Sequence, residues 1–272
     1  MKKIIACVDG SSLNKSVCES AINIAKMLNL KIYFLNVNEV LQDYASSFAM
    51  MGIMDPIHQY HVDYEIVKEL NDSKDRADNL GNTLGMYNKF AINSGLQSQV
   101  IQEEGDLIAK IQSLCDDESI LVIGNSVSSN EISKNLFDII KYAKSPIFTV
   151  SSILDKVEKV LIAYDDSKSS IKIFDFVCRN YPNTQKYILN LNDSKEKADE
   201  ILAKAKELHN DENMKFLSTN GGVDEMLELA KRYDIDLIAC GAFNSNPIKR
   251  FFFGSFSTEL IEESKLPIVT IS

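Results

Sequence analysis

The chain has 272 residues, 45% of them hydrophobic and 25% charged, which suits two packed domains of roughly 130 residues each. Its formal net charge of −10 is spread over both halves, so neither half carries the clustered positive surface that nucleic-acid binding needs. No apolar run approaches the roughly 20 residues that span a bilayer. The five cysteines (7, 18, 115, 178 and 240) show no CxxC spacing, so a cytoplasmic protein with reduced core thiols is expected, without a disulfide framework or a zinc knuckle.

The first predicted element is a strand over Ile4–Val8, and the acid that ends it, Asp9, separates this start from a signal peptide. A helix over Ser12–Leu28 and a strand over Lys31–Val37 follow. After a long intervening stretch come strand Gln99–Gln102, helix Asp106–Cys115, strand Ile120–Ile123, helix Ile132–Ala143 and strand Ile147–Val150. Beyond the short connection Ser151–Glu158 the alternation resumes: strand Val160–Ala163, helix Ser169–Asn180, strand Tyr187–Leu191 and helix Ser194–Asn210. Helix Asp224–Arg232, strand Leu237–Cys240, helix Ser255–Lys265 and strand Ile268–Ile271 complete it. The strands are short apolar runs bounded by polar turns, as parallel strands buried on both faces look. Ile171, Phe174, Val177 and Cys178 mark one helix face. Strand–helix alternation of this kind specifies an α/β fold, a parallel sheet covered on both sides with right-handed crossovers.

The two series are one series written twice. Lys3-Ile-Ile-Ala-Cys-Val-Asp-Gly-Ser11 returns as Lys159-Val-Leu-Ile-Ala-Tyr-Asp-Asp-Ser167, offset by 156 residues. Ser145-Pro-Ile-Phe-Thr-Val150 returns as Leu266-Pro-Ile-Val-Thr-Ile271. The expected domains are therefore 1–152 and 153–272, and a site should appear in both copies or be visibly lost in one. The copies differ in length at two places. Between Asp9 and Gly124 lie 115 positions against 76 between Asp165 and Gly241, which places an insertion at about 40–90 in the first copy. Between Gly124 and Pro146 lie 22 against 26 between Gly241 and Pro267, so the first copy lacks four residues where a loop meets a helix.

In the second copy that loop runs from Gly241 to Gly254-Ser255. A Gly at a strand end lets the backbone turn sharply and approach a ligand. A Gly-Ser pair opening a helix would offer free N–H groups, a hydroxyl and the positive end of the helix dipole, which together attract an anion. Asp165 ends the first strand of this copy at the same edge and would accept hydrogen bonds from a ribose or base, or would simply hold the turn and cap the next helix.

With Asp165, Gly241, Asn244, Gly254-Ser255 and Pro267 in that order, the chain resembles a tandem universal stress protein. That family's signature is Gly-x-x-Gly, nine residues, then Gly-Ser or Gly-Thr, and Asn244 stands here for the second Gly. The resemblance implies two five-stranded parallel-sheet domains of the adenine nucleotide alpha hydrolase-like type, with sheet order 3-2-1-4-5. It implies an adenine nucleotide, ATP or AMP, with Mg only beside ATP. Carried over, Ala163, Tyr164, Asp165 and Leu191 would border the adenosine, and Gly241, Asn244, Gly254, Ser255, Phe256 and Ser257 the phosphates. The first copy keeps Asp9, Val37 and Gly124 as weaker candidates, but its loop has no second Gly and carries Glu131 where a phosphate would sit. Joining Ile147–Val150 to Ile268–Ile271 would close both sheet edges, so that one chain mimics the family's dimer, with further dimerisation open.

Other features have bland readings beside sharper ones. Lys249 and Arg250 would reach phosphates or form a solvated face, and Phe251-Phe-Phe253 reads as packing. His58 and His61, near Asp55 and Asp63, have helical spacing for a metal but read as a polar loop, so no metal is expected. Phe48, Met50, Met51 and Met54 would pack as a lid or adapt to an unknown protein partner, and that is the rival function. No nucleophile–base constellation is visible, so catalysis is not expected beyond slow, incidental ATP hydrolysis. Neither nucleic acid nor membrane is an expected partner.

Overall fold

Short apolar runs with buried residues on both faces assemble, in the computed structural model of the chain, into one ten-stranded sheet. Its strands are β1 (Lys3–Cys7), β2 (Lys31–Asn38), β3 (Ser98–Glu104), β4 (Ser119–Gly124), β5 (Ile147–Val150), β6 (Lys159–Ala163), β7 (Gln185–Leu191), β8 (Met214–Thr219), β9 (Leu237–Gly241) and β10 (Ile268–Ile271). The structure describes residues 2–38, 79–116, 118–125, 136, 139–140, 143, 145–192, 194–242 and 250–272, with the backbone alone for 38 and 250–255.

The strand order β3-β2-β1-β4-β5-β10-β9-β6-β7-β8 reads as two five-stranded halves, each in the order 3-2-1-4-5. Within each half neighbouring strands are parallel. The halves meet at β5 and β10, which pair antiparallel with Ile147 facing Thr270, Phe148 facing Val269 and Thr149 facing Ile268. Phe148 and Val269 each stand two residues after the Pro that opens the last repeat segment, so this register sets a local twofold axis between them. The expected joining of the two final strands is thus present. It gives three of the four residues in each of these short, fully buried strands a partner across the junction and removes two open edges.

Helices cover both faces. Alternation along β1 sends Ile4 and Ala6 to one core and Ile5 and Cys7 to the other. The first core takes the helices Asn14–Leu28, 79–93, Lys168–Asn180 and Lys195–Leu208 and runs continuously under both halves. The second takes Leu107–Leu114, Val223–Arg232 and Arg250–Glu263.

Three elements differ from expectation. The strand β8 is missing from the sequence reading because it is the outer strand of its half, with no fully buried residue and no apolar run longer than Phe216-Leu217. The helix 79–93 buries Leu80, Leu84 and Ala91 and immediately precedes the outer strand β3, as Lys195–Leu208 precedes β8. It is therefore a shared element, and the insertion expected at about 40–90 ends before residue 79. Residues 39–78, with Phe48, the Met cluster and the His pair, lie outside the described residues, as does Glu131. The last helix begins at Arg250, not at Ser255. An internal Gly costs a helix only about 1 kcal/mol against Ala, and Pro247 is the nearest strong breaker upstream, so Gly254 does not stop it.

Candidate functional site

The chain leaves β6 toward β7 on one side and meets β9 on the other, so the strand order reverses between β6 and β9. In an open parallel sheet the crevice beyond the carboxyl ends of two such strands is where a ligand fits. A cavity of about 370 Å³ lies there, walled by Ala163, Leu189, Leu191, Cys240 and Phe256 and rimmed by Asp165, Ser169, Asn220, Gly221, Gly222 and Gly241.

The turn after β6 is tightly specified. Tyr164 N–H donates to Leu189 O at 2.9 Å, and the amide of Asn190 donates to Tyr164 O at 2.7 Å. The Tyr164 ring is buried against Phe174, 5.5 Å away edge to face, and its hydroxyl reaches Asp166, so this residue borders the cavity with its main chain. Burial, aided by the Asp166 carboxylate, pushes the Tyr164 phenol well above its ordinary range. Asp166 has a left-handed backbone (φ 63°), as Gly10 has at the same place in the first half (φ 86°), and Lys204 pairs with its carboxylate at 2.7 Å. Asp165 accepts from Ser167 N–H at 3.1 Å. Ser167 in turn caps the helix Lys168–Asn180 by accepting from Ser170 N–H. Holding the turn and lining the cavity are therefore both roles of Asp165. Asp9 holds its turn in the same way, accepting from Ser11 N–H at 2.9 Å, and Asn36 repeats Asn190 by donating to Val8 O.

Gly241 closes the floor. A Cβ built there would stand 2.6 Å from Ser169 Oγ and 2.9 Å from the Ser169 backbone carbon, so no side chain fits unless the helix moves. Gly241→Ala is expected to destabilise the protein by about 1–3 kcal/mol, measured by urea unfolding, through overpacking. In the first half Gly124 is approached instead by Leu13, at 3.1 Å from the same built position. Leu13 and Ser169 each lie four residues after the strand-end Asp, so a Leu and a Ser occupy equivalent first-turn places.

Of the residues expected at the site, Ala163, Tyr164, Asp165, Leu191, Gly241 and Phe256 line this cavity together. Ser257 is buried in the last helix outside that lining. Asp9 follows β1 by two residues, and Val37 and Gly124 lie at the carboxyl ends of β2 and β4, at the corresponding edge of the first half. Asn244 and Lys249 lie outside the described residues. Gly254 and Ser255 require a correction. They sit one turn inside the helix Arg250–Glu263, where α-helical amides point at carbonyls four residues back, so the free N–H groups belong to the turn that opens at Arg250. Sequence reasoning missed Ser167, Ser169, Ser170, Leu189, Asn220, Gly221, Gly222 and Cys240. The Gly-Gly pair before a helix was the available signal, and the three serines were hidden as ordinary capping residues.

The described lining contains no Lys or Arg. Hydroxyls, main-chain groups, one carboxylate and apolar walls suit a planar or sugar-like body better than a bare anion. The thiols play no visible part. Burial pushes Cys18, Cys178 and Cys240 up to about 12 and Cys115 up to about 11, and Cys7 higher still. Native protein at pH 7.5 is expected to react with a thiol reagent at least tenfold more slowly than the urea-unfolded chain, in which all five react. Rapid native labelling of any described cysteine would contradict that burial.

Comparison with known proteins agrees with this architecture. The family model described as the universal stress protein family matches residues 1–127 and 181–272. A universal stress protein of Synechocystis is 23% identical over 291 residues, covering 99% of both chains. The crystal structure of a universal stress protein from Archaeoglobus fulgidus superposes with TM-score 0.69 at 16% identity, covering 99% of this chain and 96% of that one. A protein from Pseudomonas aeruginosa, described as a putative universal stress protein, gives TM-score 0.61 at 11% identity, covering 100% and 93%.

Proposed function

The chain belongs to the universal stress protein family, and from that premise we propose that its second half binds an adenine nucleotide, ATP or AMP, as a regulatory ligand. One observation carries the reading: the 370 Å³ cavity at the β6–β9 crevice, where six of the residues expected to border a nucleotide converge. In this reading adenine lies between Ala163 and Leu191, the ribose hydroxyls meet Asp165, and the phosphates leave past Gly241 toward the turn that opens at Arg250, with Mg accompanying only a triphosphate. The first half, with Leu13 over Gly124, does not bind in the same way. The ligand is held and not processed. His209 is engaged with Asp175 at 2.6 Å outside the cavity, and no histidine is in the described lining, so no imidazole base stands beside the serines there.

A second reading has one observation of its own. Helix 79–93, which follows the Met-rich stretch, exposes Met86 at 59% and Phe90 at 52%, as a surface that recruits a protein partner would. Titration calorimetry with ATP, ADP and AMP separates the two. One site per chain with at least one of them supports the nucleotide reading, and no heat with any of the three favours the partner reading.

A further inference from the structure

The local twofold between Phe148 and Val269 relates two grooves, and the chain itself fills one of them. After β5 the connection Ser151–Glu158 runs along the helix Asn14–Leu28. Leu154 N–H donates to Ser20 Oγ at 2.8 Å, Asn23 donates to Leu154 O at 3.1 Å, and the Leu154 side chain is buried. Its start is anchored by Ser151 Oγ donating to Lys265 O at 3.3 Å. Ser272, which follows β10 as Ser151 follows β5, is anchored in matching fashion, Oγ donating to Ala143 O at 2.9 Å.

The groove that corresponds to the Leu154 channel lies between the helix Lys168–Asn180 and the amino edge of the first half. It encloses about 510 Å³. Phe176, Ile120, Pro146 and Ile271 provide its apolar surface, Lys2, Lys172 and Arg179 its cations, and Glu118 and Asp175 its carboxylates. Phe176 and Arg179 stand 11 and 14 residues after Asp165, as Ser20 and Asn23 stand after Asp9, so these are the two positions that hold the connection in the filled groove. Arg179 pairs with Asp175 at 2.6 Å, and Lys172 Nζ donates to Ser272 O at 2.9 Å. Three cations against two carboxylates leave this rim slightly positive on a chain of net charge −10.

We propose that this groove receives an extended peptide from a protein partner, with an aliphatic side chain on the apolar surface and an adjacent acidic side chain at Lys172 and Arg179. The occupant of the twin groove sets the pattern. It is a main chain held at Leu154 N–H and C=O and presenting Ile153-Leu154-Asp155, an aliphatic pair followed by an acid. The two grooves differ where it matters for an incoming chain. Arg179 replaces the neutral Asn23, which shifts recognition from a main-chain amide toward a carboxylate.

The test uses the full chain and a fluorescein-labelled peptide of sequence Ser-Ser-Ile-Leu-Asp-Lys-Val-Glu, followed by fluorescence anisotropy. Saturable binding with Kd on the order of 100 μM is expected. The double variant Lys172→Glu/Arg179→Glu should weaken it roughly tenfold, and a peptide with Lys in place of its Asp should then bind the double variant better than wild type. Replacing the peptide's Leu by Ser should abolish binding to both. Thermal melts of the double variant should match wild type, since both substituted side chains are on the surface. Absence of saturation up to about 1 mM overturns the proposal. Binding that ignores the charge reversal overturns it too, because the peptide would then be displacing the resident connection from the twin groove.

Discussion

Ser169→Leu is expected to abolish nucleotide binding, with an affinity loss of at least about 100-fold, or roughly 2.7 kcal/mol. The substitution imports the residue that the first half carries at the equivalent place, where Leu13 covers Gly124. Ser169 rims the cavity and touches Gly241 closely enough that even a methyl on Gly241 has no room. The Leu side chain carries two more heavy atoms than Ser, which would enter the ligand's volume, and a hydroxyl at the rim would be lost. Leu is accommodated beside a strand-end Gly in the first half, so the variant should fold, with a melting temperature within a few degrees of wild type. Calorimetry with whichever nucleotide the wild type binds is the measurement. An affinity within threefold of wild type would show that the ligand does not use this crevice. The reciprocal change Leu13→Ser should leave the measured binding unaltered, which separates a role in the site from a general effect on the fold.

Phe148→Ala is expected to produce the largest loss of stability, about 3–5 kcal/mol. Phe148 is fully buried in β5, faces Val269 across the twofold, and its ring meets Phe176 of the second half at 6.3 Å edge to face. Truncation therefore opens a cavity whose walls come from both halves. A loss of this size is a large fraction of the 5–15 kcal/mol that typically separates folded from unfolded chains. Urea unfolding followed by circular dichroism and by tyrosine fluorescence should show an earlier midpoint. The two probes should also cease to coincide as the halves uncouple. A loss below about 1 kcal/mol with a single shared transition would mean that the β5–β10 junction contributes little, and that the halves are held together elsewhere.

Much of this architecture can be read in the residues, and the parts that cannot share a physical cause. Strands buried on both faces announce themselves as apolar runs, which is why β1, β6, β9 and β10 were found nearly to the residue. The outer strand β8, Met-Lys-Phe-Leu-Ser-Thr, has no fully buried residue and no apolar run longer than Phe216-Leu217, so it gives no such signal. Gly254-Ser255 looked like a helix opening because local chemistry favours such a pair there, yet helix continuity is decided by the whole segment, and the helix starts at Arg250. The candidate site divides in the same way. Asp165 and Gly241 stand out by position in a repeat. Ser169, Gly221 and Gly222 reach the cavity only because the ends of four strands, β6 to β9, are brought side by side by pairings between residues far apart in the chain.

By itself, then, the order of residues determined the duplicated α/β plan, the location of the strand-end Asp and Gly, and the asymmetry between the copies. All three rest on short-range periodicity and turn chemistry, which each segment carries within itself. Tertiary structure decided which serines and glycines share a cavity, where the last helix begins, and which of two symmetry-related grooves the connecting segment fills. Those outcomes depend on the spacing between packed elements, a distance that only the assembled sheet and its two cores define.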